Sequence, residues 1–152
     1  MYKINWVRLL VGGLVATVIL FITDGFIHEW VLRADWRAVN IALGFYDTSS
    51  NSASQHGNGA LAYFAVFEAG RGLISIYLYA LMRSFCGPGP KTAALSGVVA
   101  WIAFSVTGPA QFIPLGFYSN ALWFKVGAFQ LATSIVAALA GAVLYRDVAT
   151  RT

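Results

Sequence analysis

The sequence predicts an all-α integral membrane protein, a single domain built as a bundle of four transmembrane helices. Of its 152 residues, 59% are hydrophobic and 11% are charged. A soluble domain is about 45–50% apolar and about 25% charged, so this chain has too few charges to cover a surface in water. Four windows reach the roughly 20 apolar residues that a membrane-spanning helix needs. An unbroken apolar run at residues 9–23 contradicts the alternation of barrel strands.

The four predicted spans cover residues 6–30, 60–82, 92–113 and 120–145. No small-residue cleavage site follows the first, so we interpret it as a retained helix. Gly108-Pro109 and Pro114 are expected to break or kink the third. An outer loop, residues 31–59, places Trp36, Val39 and Leu43 on one helical face. This pattern predicts a short helix lying in the membrane interface.

Basic residues predict the orientation of the bundle. Short cytoplasmic loops carry an excess of Lys and Arg. One side of this bundle carries six such residues and the other carries Arg33 and Arg37; the six are Lys3, Arg8, Arg83, Lys91, Arg146 and Arg151. Both termini are therefore predicted to be cytoplasmic. The net charge of +4 is then a topology signal, and no nucleic-acid partner is expected.

Small residues recur along the spans and predict where helices approach one another. Helices in a bilayer associate through close packing of small side chains and through polar contacts. The candidate packing positions are Gly12, Ala16, Ala93, Gly97, Gly127, Ser134 and Gly141. These seams can face a helix of the same chain, another copy of it or a foreign subunit.

Charged residues within the spans lie mostly in the predicted outer half of the membrane. At 1.5 Å per helical residue, Asp24, Glu68 and Arg71 fall about 9–16 Å below the outer surface. Their charges and that of Lys125 sum to zero, so a mutually compensated cluster is expected, with Gln111 and Gln130 adding hydrogen bonds. Such a cluster either holds the helices in register or handles a proton, an ion or a polar ligand.

His28 is the one histidine within a span, at the outer interface. It is a candidate for a proton relay or for axial ligation of haem or chlorophyll. Asp24, His28 and Glu68 together would offer nitrogen and oxygen ligands to a transition metal. His28-Glu29 lacks the second histidine of a metalloprotease motif, and no Gly-x-Ser-x-Gly elbow occurs. The sequence therefore predicts a non-catalytic protein.

Three stretches resemble small bacterial four-span membrane proteins that have no assigned function. They are Asn5-Trp6-x-Arg8 before a Gly-Gly helix, the turn from Gly87 to Ala93, and the segment from Ala140 to Arg146. The resemblance implies a bacterial inner membrane and implies no activity.

Three functions remain open at this level, and each forecasts different partners. The first, which is the leading interpretation, is an accessory or stabilising subunit of a larger membrane complex. The second is a small homo-oligomeric transporter or channel with a polar site in the outer half of the membrane. The third is a haem- or chlorophyll-binding subunit that uses His28. Besides the lipid bilayer, the expected partners are other membrane subunits or further copies of the chain.

Overall fold

The computed structural model describes residues 4–43, 57–116 and 119–145, and within these ranges the chain is helical with no strand. Four helices are long and apolar enough to cross a membrane: Trp6–Val31, Leu61–Cys86, Pro90–Ala110 and Asn120–Leu144. The predicted all-helical architecture, with four helices long and apolar enough to cross a membrane, is thus confirmed. Which end faces the cytoplasm stays a prediction.

The first span ends in an altered helical turn that leads to a short extra helix. Helix α1 covers Trp6–Phe26, and the Asn5 side chain accepts a hydrogen bond from the Arg8 N–H at its start. A π-helical segment, Ile27–Val31, continues it. Helix α2 covers Arg33–Ala42, within the predicted outer loop. The short helix predicted there exists, and its position in the membrane interface stays a prediction.

The second and third spans are joined by a turn that needs glycine. Helix α3 covers Gly57–Cys86 and helix α4 covers Pro90–Trp101. Between them, Gly87 and Gly89 have φ angles of 77° and 147°, a region that side chains with a Cβ rarely adopt. Pro90 suits the first position of α4, where no N–H partner is lost.

The third span changes pitch before it ends. A π-helical segment, Ile102–Val106, follows α4, and a short helix α5 covers Thr107–Ala110. Pro109 has no N–H, so the carbonyl of Ser105 loses its α-helical donor. A disturbance of the helix is expected at this position. The helix ends at Ala110 rather than at residue 113, and turns follow through residue 116. Helix α6, Asn120–Leu144, is capped by the Ser119 side chain.

The helices form a ring in which α1 packs on α3 and α6, and α4 packs on the same two helices. Small residues allow the closest approaches. A Cβ at Gly12 would lie 2.5 Å from the carbonyl oxygen of Gly141, and one at Gly97 would lie 2.7 Å from that of Ser134. Ala16 and Ala93 are also buried. Gly127 differs, because a Cβ there would meet no atom within 4 Å.

The bundle has two distinct ends. We call the end that carries Arg8, Arg83 and Lys91 the basic end, and the end that carries α2 and the turns after α5 the loop end. A large apolar core toward the basic end includes Leu9, Ile76 and Ala137. A smaller apolar cluster lies at the loop end. The buried charges lie between these two cores.

Candidate functional site

Three helices bring charged and polar side chains together inside the bundle. Asp24 lies near the end of α1, and Glu68 and Arg71 lie one turn apart on α3. All three are almost fully buried, with exposures of 0%, 0% and 2%. Helix α6 adds three further buried polar side chains, Gln130, Thr133 and Ser134. We call these six residues the polar cluster.

The Arg71 guanidinium is the centre of the polar cluster. Its Nη1 lies 2.6 Å from Asp24 Oδ2 and 2.9 Å from both oxygens of Glu68. Its Nη2 donates to Ser134 Oγ at 3.0 Å. The guanidinium therefore ties α1, α3 and α6 together with charge-assisted hydrogen bonds, which are among the stronger ones in proteins.

The two carboxylates are not held equally. Asp24 accepts from Arg71, from Gln130 Nε2 at 3.0 Å and from Thr133 Oγ1 at 2.8 Å. Among the described residues, Glu68 accepts from Arg71 alone. Asp24 is thus fixed by three donors on two helices, whereas Glu68 keeps acceptor capacity that no donor in the described part of the chain uses.

The polar cluster does not have the neutral balance expected from the sequence. Lys125 lies outside it, half-exposed, with its ammonium 2.7 Å from Asp35 of α2. Gln111 also lies outside it, exposed in the turns after α5. Two carboxylates therefore share one guanidinium, and the formal charge of the cluster is −1. Gln130 is the predicted amide that does join it.

An apolar layer closes the polar cluster toward the loop end. Ile27 follows Asp24 by three residues, and Val126 precedes Gln130 by four, so each lies one turn further out on the same helix face. These two pack with Leu32 and Leu122, and with Trp36 and Val39 of α2. The Lys125–Asp35 ion pair joins α2 to α6. We call α2 and this layer the α2 cap.

The opposite side of the polar cluster is also sealed by apolar side chains. Leu20 precedes Asp24 by four residues on α1, and Ile76 follows Arg71 by five on α3; their exposures are 1% and 0%. Ala137 and Ala138 of α6 are buried at the same level of the bundle. The cluster is therefore occluded from both ends of the bundle.

His28 is held by the α2 cap. The Trp36 Nε1–H donates to His28 Nδ1 at 2.8 Å, and the two rings lie 5.4 Å apart. Because Nδ1 accepts, the proton of the neutral ring lies on Nε2. Neither nitrogen then offers a lone pair to haem iron or to magnesium, so this arrangement does not fit axial ligation.

The metal site considered from the sequence is not assembled either. Among the described residues, no three His, Cys, Asp or Glu side chains lie together in a way that could hold a metal ion. Asp24 and Glu68 instead face the Arg71 guanidinium.

Sequence reasoning missed part of the polar cluster. Thr133 was not singled out, and Ser134 was assigned to packing alone, although its hydroxyl accepts from Arg71. A signal was present, since these two residues follow Gln130 by three and four positions and therefore share its helix face. The bond from Trp36 to His28 had no comparable signal, because it depends on how α2 turns back on α1.

Comparisons with protein-family models, with curated proteins and with solved structures return no match to this chain. The resemblance to small bacterial four-span proteins, with the inner membrane that it implies, stays a prediction. The function must be argued from the polar cluster itself.

Proposed function

We propose that this protein is a small multi-pass membrane transporter that moves protons, and that the polar cluster is its proton-binding site. One observation carries the proposal: two carboxylates share a single guanidinium in the interior of the bundle, at no more than 2% exposure. Ionisable residues inside membrane spans commonly mark proton relays and ion pathways.

The negative formal charge of the polar cluster favours the binding of a proton. A charge at the bilayer centre costs at least about 2.5–3.5 kcal/mol. One proton cancels the formal charge of −1. Glu68 is the better position for it, because Asp24 is already bound by Gln130 and Thr133 as well as by Arg71. Release of the proton restores the Glu68–Arg71 pair seen here.

The occlusion of the polar cluster on both sides suits a transporter more than an open pore. Movement of α2 would open the site toward the loop end, and the contacts that hold the cap include a half-exposed ion pair, a side-chain hydrogen bond and apolar contacts. His28 lies four residues beyond Asp24 and so one turn nearer to that end. It is the candidate to pass the proton between the loop end and the polar cluster.

The accessory-subunit hypothesis gains no comparable support from the contacts. It relied on seams of small residues that could face a foreign helix. In the described part of the chain, Gly12 contacts Gly141 and Gly97 contacts Ser134, so these seams are used between helices of the same chain.

Proton flux into liposomes tests the proposal. The purified chain is reconstituted with a pH-sensitive dye inside, and a potassium diffusion potential drives proton entry. The expected initial rate exceeds that of empty liposomes and falls at least tenfold in Glu68→Gln. Glu29→Gln makes the same chemical change at a carboxylate outside the polar cluster, and it should keep the wild-type rate. Wild-type flux equal to that of empty liposomes would contradict the proposal.

A further inference from the structure

A second feature lies at the other end of the bundle, where α4 and α6 leave a groove between them. The groove has a volume of about 500 Å³, and its walls come from α3, α4 and α6. Tyr79, Ala93 and Ala142 are buried at its base, and Val136 and Val143 are exposed at its edge. Its volume is within the range of about 300–1,000 Å³ of pockets that hold small ligands.

The position of the groove identifies an apolar occupant. It is formed by the spans Leu61–Cys86, Pro90–Ala110 and Asn120–Leu144, all of which are apolar enough to cross a membrane. Side chains that line it there have only hydrocarbon as their solvent. The occupant must therefore present a flexible apolar chain.

Positive charge at the mouth of the groove identifies the other part of the occupant. Lys91 is exposed and directly follows Pro90, which lines the groove. The Arg83 guanidinium lies 5.4 Å from the centre of the Tyr79 ring, and Tyr79 also lines the groove. Arg83 Nη1 also donates to the Tyr145 carbonyl at 3.4 Å. Two cations thus lie next to residues that line the groove at its basic end, and they favour an anion there.

The start of α4 adds to this preference. No side chain caps the helix at Gly89, and its first turn contains no acidic residue. The N-terminus of a helix carries a partial positive charge that favours phosphate groups. Here it coincides with Lys91 and with the wall of the groove.

We propose that the groove binds an acyl chain of an anionic phospholipid, with the lipid phosphate beside Lys91 and Arg83. The site is independent of the proton-binding cluster and does not rest on the proposed transport. A single lipid bound there bridges α4 and α6 at the end where the Gly87–Gly89 turn holds α3 and α4 together.

Native mass spectrometry tests this site. The full chain is placed in bilayers of equal phosphatidylglycerol and phosphatidylcholine, released into detergent, and the bound lipids are counted. The wild type should retain one phosphatidylglycerol, several-fold more often than phosphatidylcholine. Ala140→Leu, which fills the groove, should lose it at least fivefold. Ala132→Leu adds the same atoms on an exposed part of α6 outside the groove and should retain it.

Three further variants complete the test. Val136→Phe narrows the groove from its exposed edge and replaces Ala140→Leu if that variant fails to fold. Lys91→Gln should bring the two lipids to equal occupancy, and Lys125→Gln at the loop end should not. Equal lipid retention by the groove-filling variant and the wild type would overturn the proposal. So would a wild-type dimer that dissociates when the groove is filled, because a second copy would then be the occupant.

Discussion

The two halves of the bundle are held together by different physical means. Toward the basic end, helices meet through backbone contact between Gly12 and Gly141 and through an apolar core around Ile76. Toward the loop end, Arg71 and its hydrogen-bonded partners connect three helices across a water-excluded space. The backbone contacts and apolar side chains toward the basic end have a single charge state. In our proposal, the cluster of two carboxylates and one cation has two charge states, with and without a bound proton. This difference is why we place function in the loop-end half.

Removing the Arg71 guanidinium should cause the largest loss of stability, because it connects the three helices toward the loop end. Arg71→Met leaves two buried carboxylates without their shared donor, and loss of one partner from a buried ion pair costs about 3–5 kcal/mol. Thermal unfolding in detergent should show a large fall in the melting temperature. Adding Asp24→Asn and Glu68→Gln should restore most of the loss, since no buried charge is then left unpaired. An Arg71→Met protein as stable as the wild type would show that the cluster does not hold the helices.

A matched pair of glycine substitutions tests the close helix contacts toward the basic end. Gly141→Ala places a Cβ 2.5 Å from the Gly12 carbonyl oxygen, which forces α1 and α6 apart. Overpacking of this kind costs about 1–3 kcal/mol. Gly127→Ala is the control in the same helix, because its Cβ would meet no atom within 4 Å. It should be neutral or slightly stabilising, since Ala favours helix over Gly by about 1 kcal/mol. Equal effects of the two substitutions would contradict the close-contact account.

A smaller effect is expected within the polar cluster at Thr133. Thr133→Val keeps the shape of the side chain but removes one of the donors to Asp24. Side-chain hydrogen bonds inside membrane proteins contribute about 0.6–1.7 kcal/mol. Unfolding measurements should show a loss in that range. Thr107→Val removes only an exposed bond to the Ala103 carbonyl and should change little. A larger loss at Thr107 than at Thr133 would contradict the asymmetry between exposed and buried polar groups.

The smallest effect is expected at the α2 cap. Lys125 and Asp35 are 51% and 32% exposed, and exposed ion pairs contribute about 0–1 kcal/mol. Lys125→Gln and Asp35→Asn should therefore each lower stability slightly, and the double variant should cost no more than either one. A double-mutant cycle in low and high salt measures this coupling. A coupling above about 1 kcal/mol would show that the cap is held more tightly than its exposure indicates.

Much of this architecture could be predicted from the sequence because the bilayer imposes strong constraints. Apolar length alone located the four spans, with ends that differ from the structure by a few residues. The proximity of Asp24, Glu68 and Arg71 could be predicted from the helical rise, counted from the predicted ends of the spans.

The remainder depends on contacts that helix periodicity does not encode. Lys125 has a long side chain near the end of its span, so it extends to Asp35 instead of into the polar cluster. The contact between Lys125 and Asp35 depends on the position of α2. That helix follows a π-helical segment, which composition does not reveal. The charge imbalance of the polar cluster is therefore a finding of the structure.

The most direct test of the central claim is infrared detection of the proton in the polar cluster. The reconstituted protein is titrated with acid and base, and the C=O stretch of a protonated carboxylic acid inaccessible to water is followed. The account predicts a band that changes with pH in the wild type and in Glu29→Gln, and that is missing in Glu68→Gln. An identical band in Glu68→Gln, or a wild-type spectrum with no such band at any pH, would contradict it.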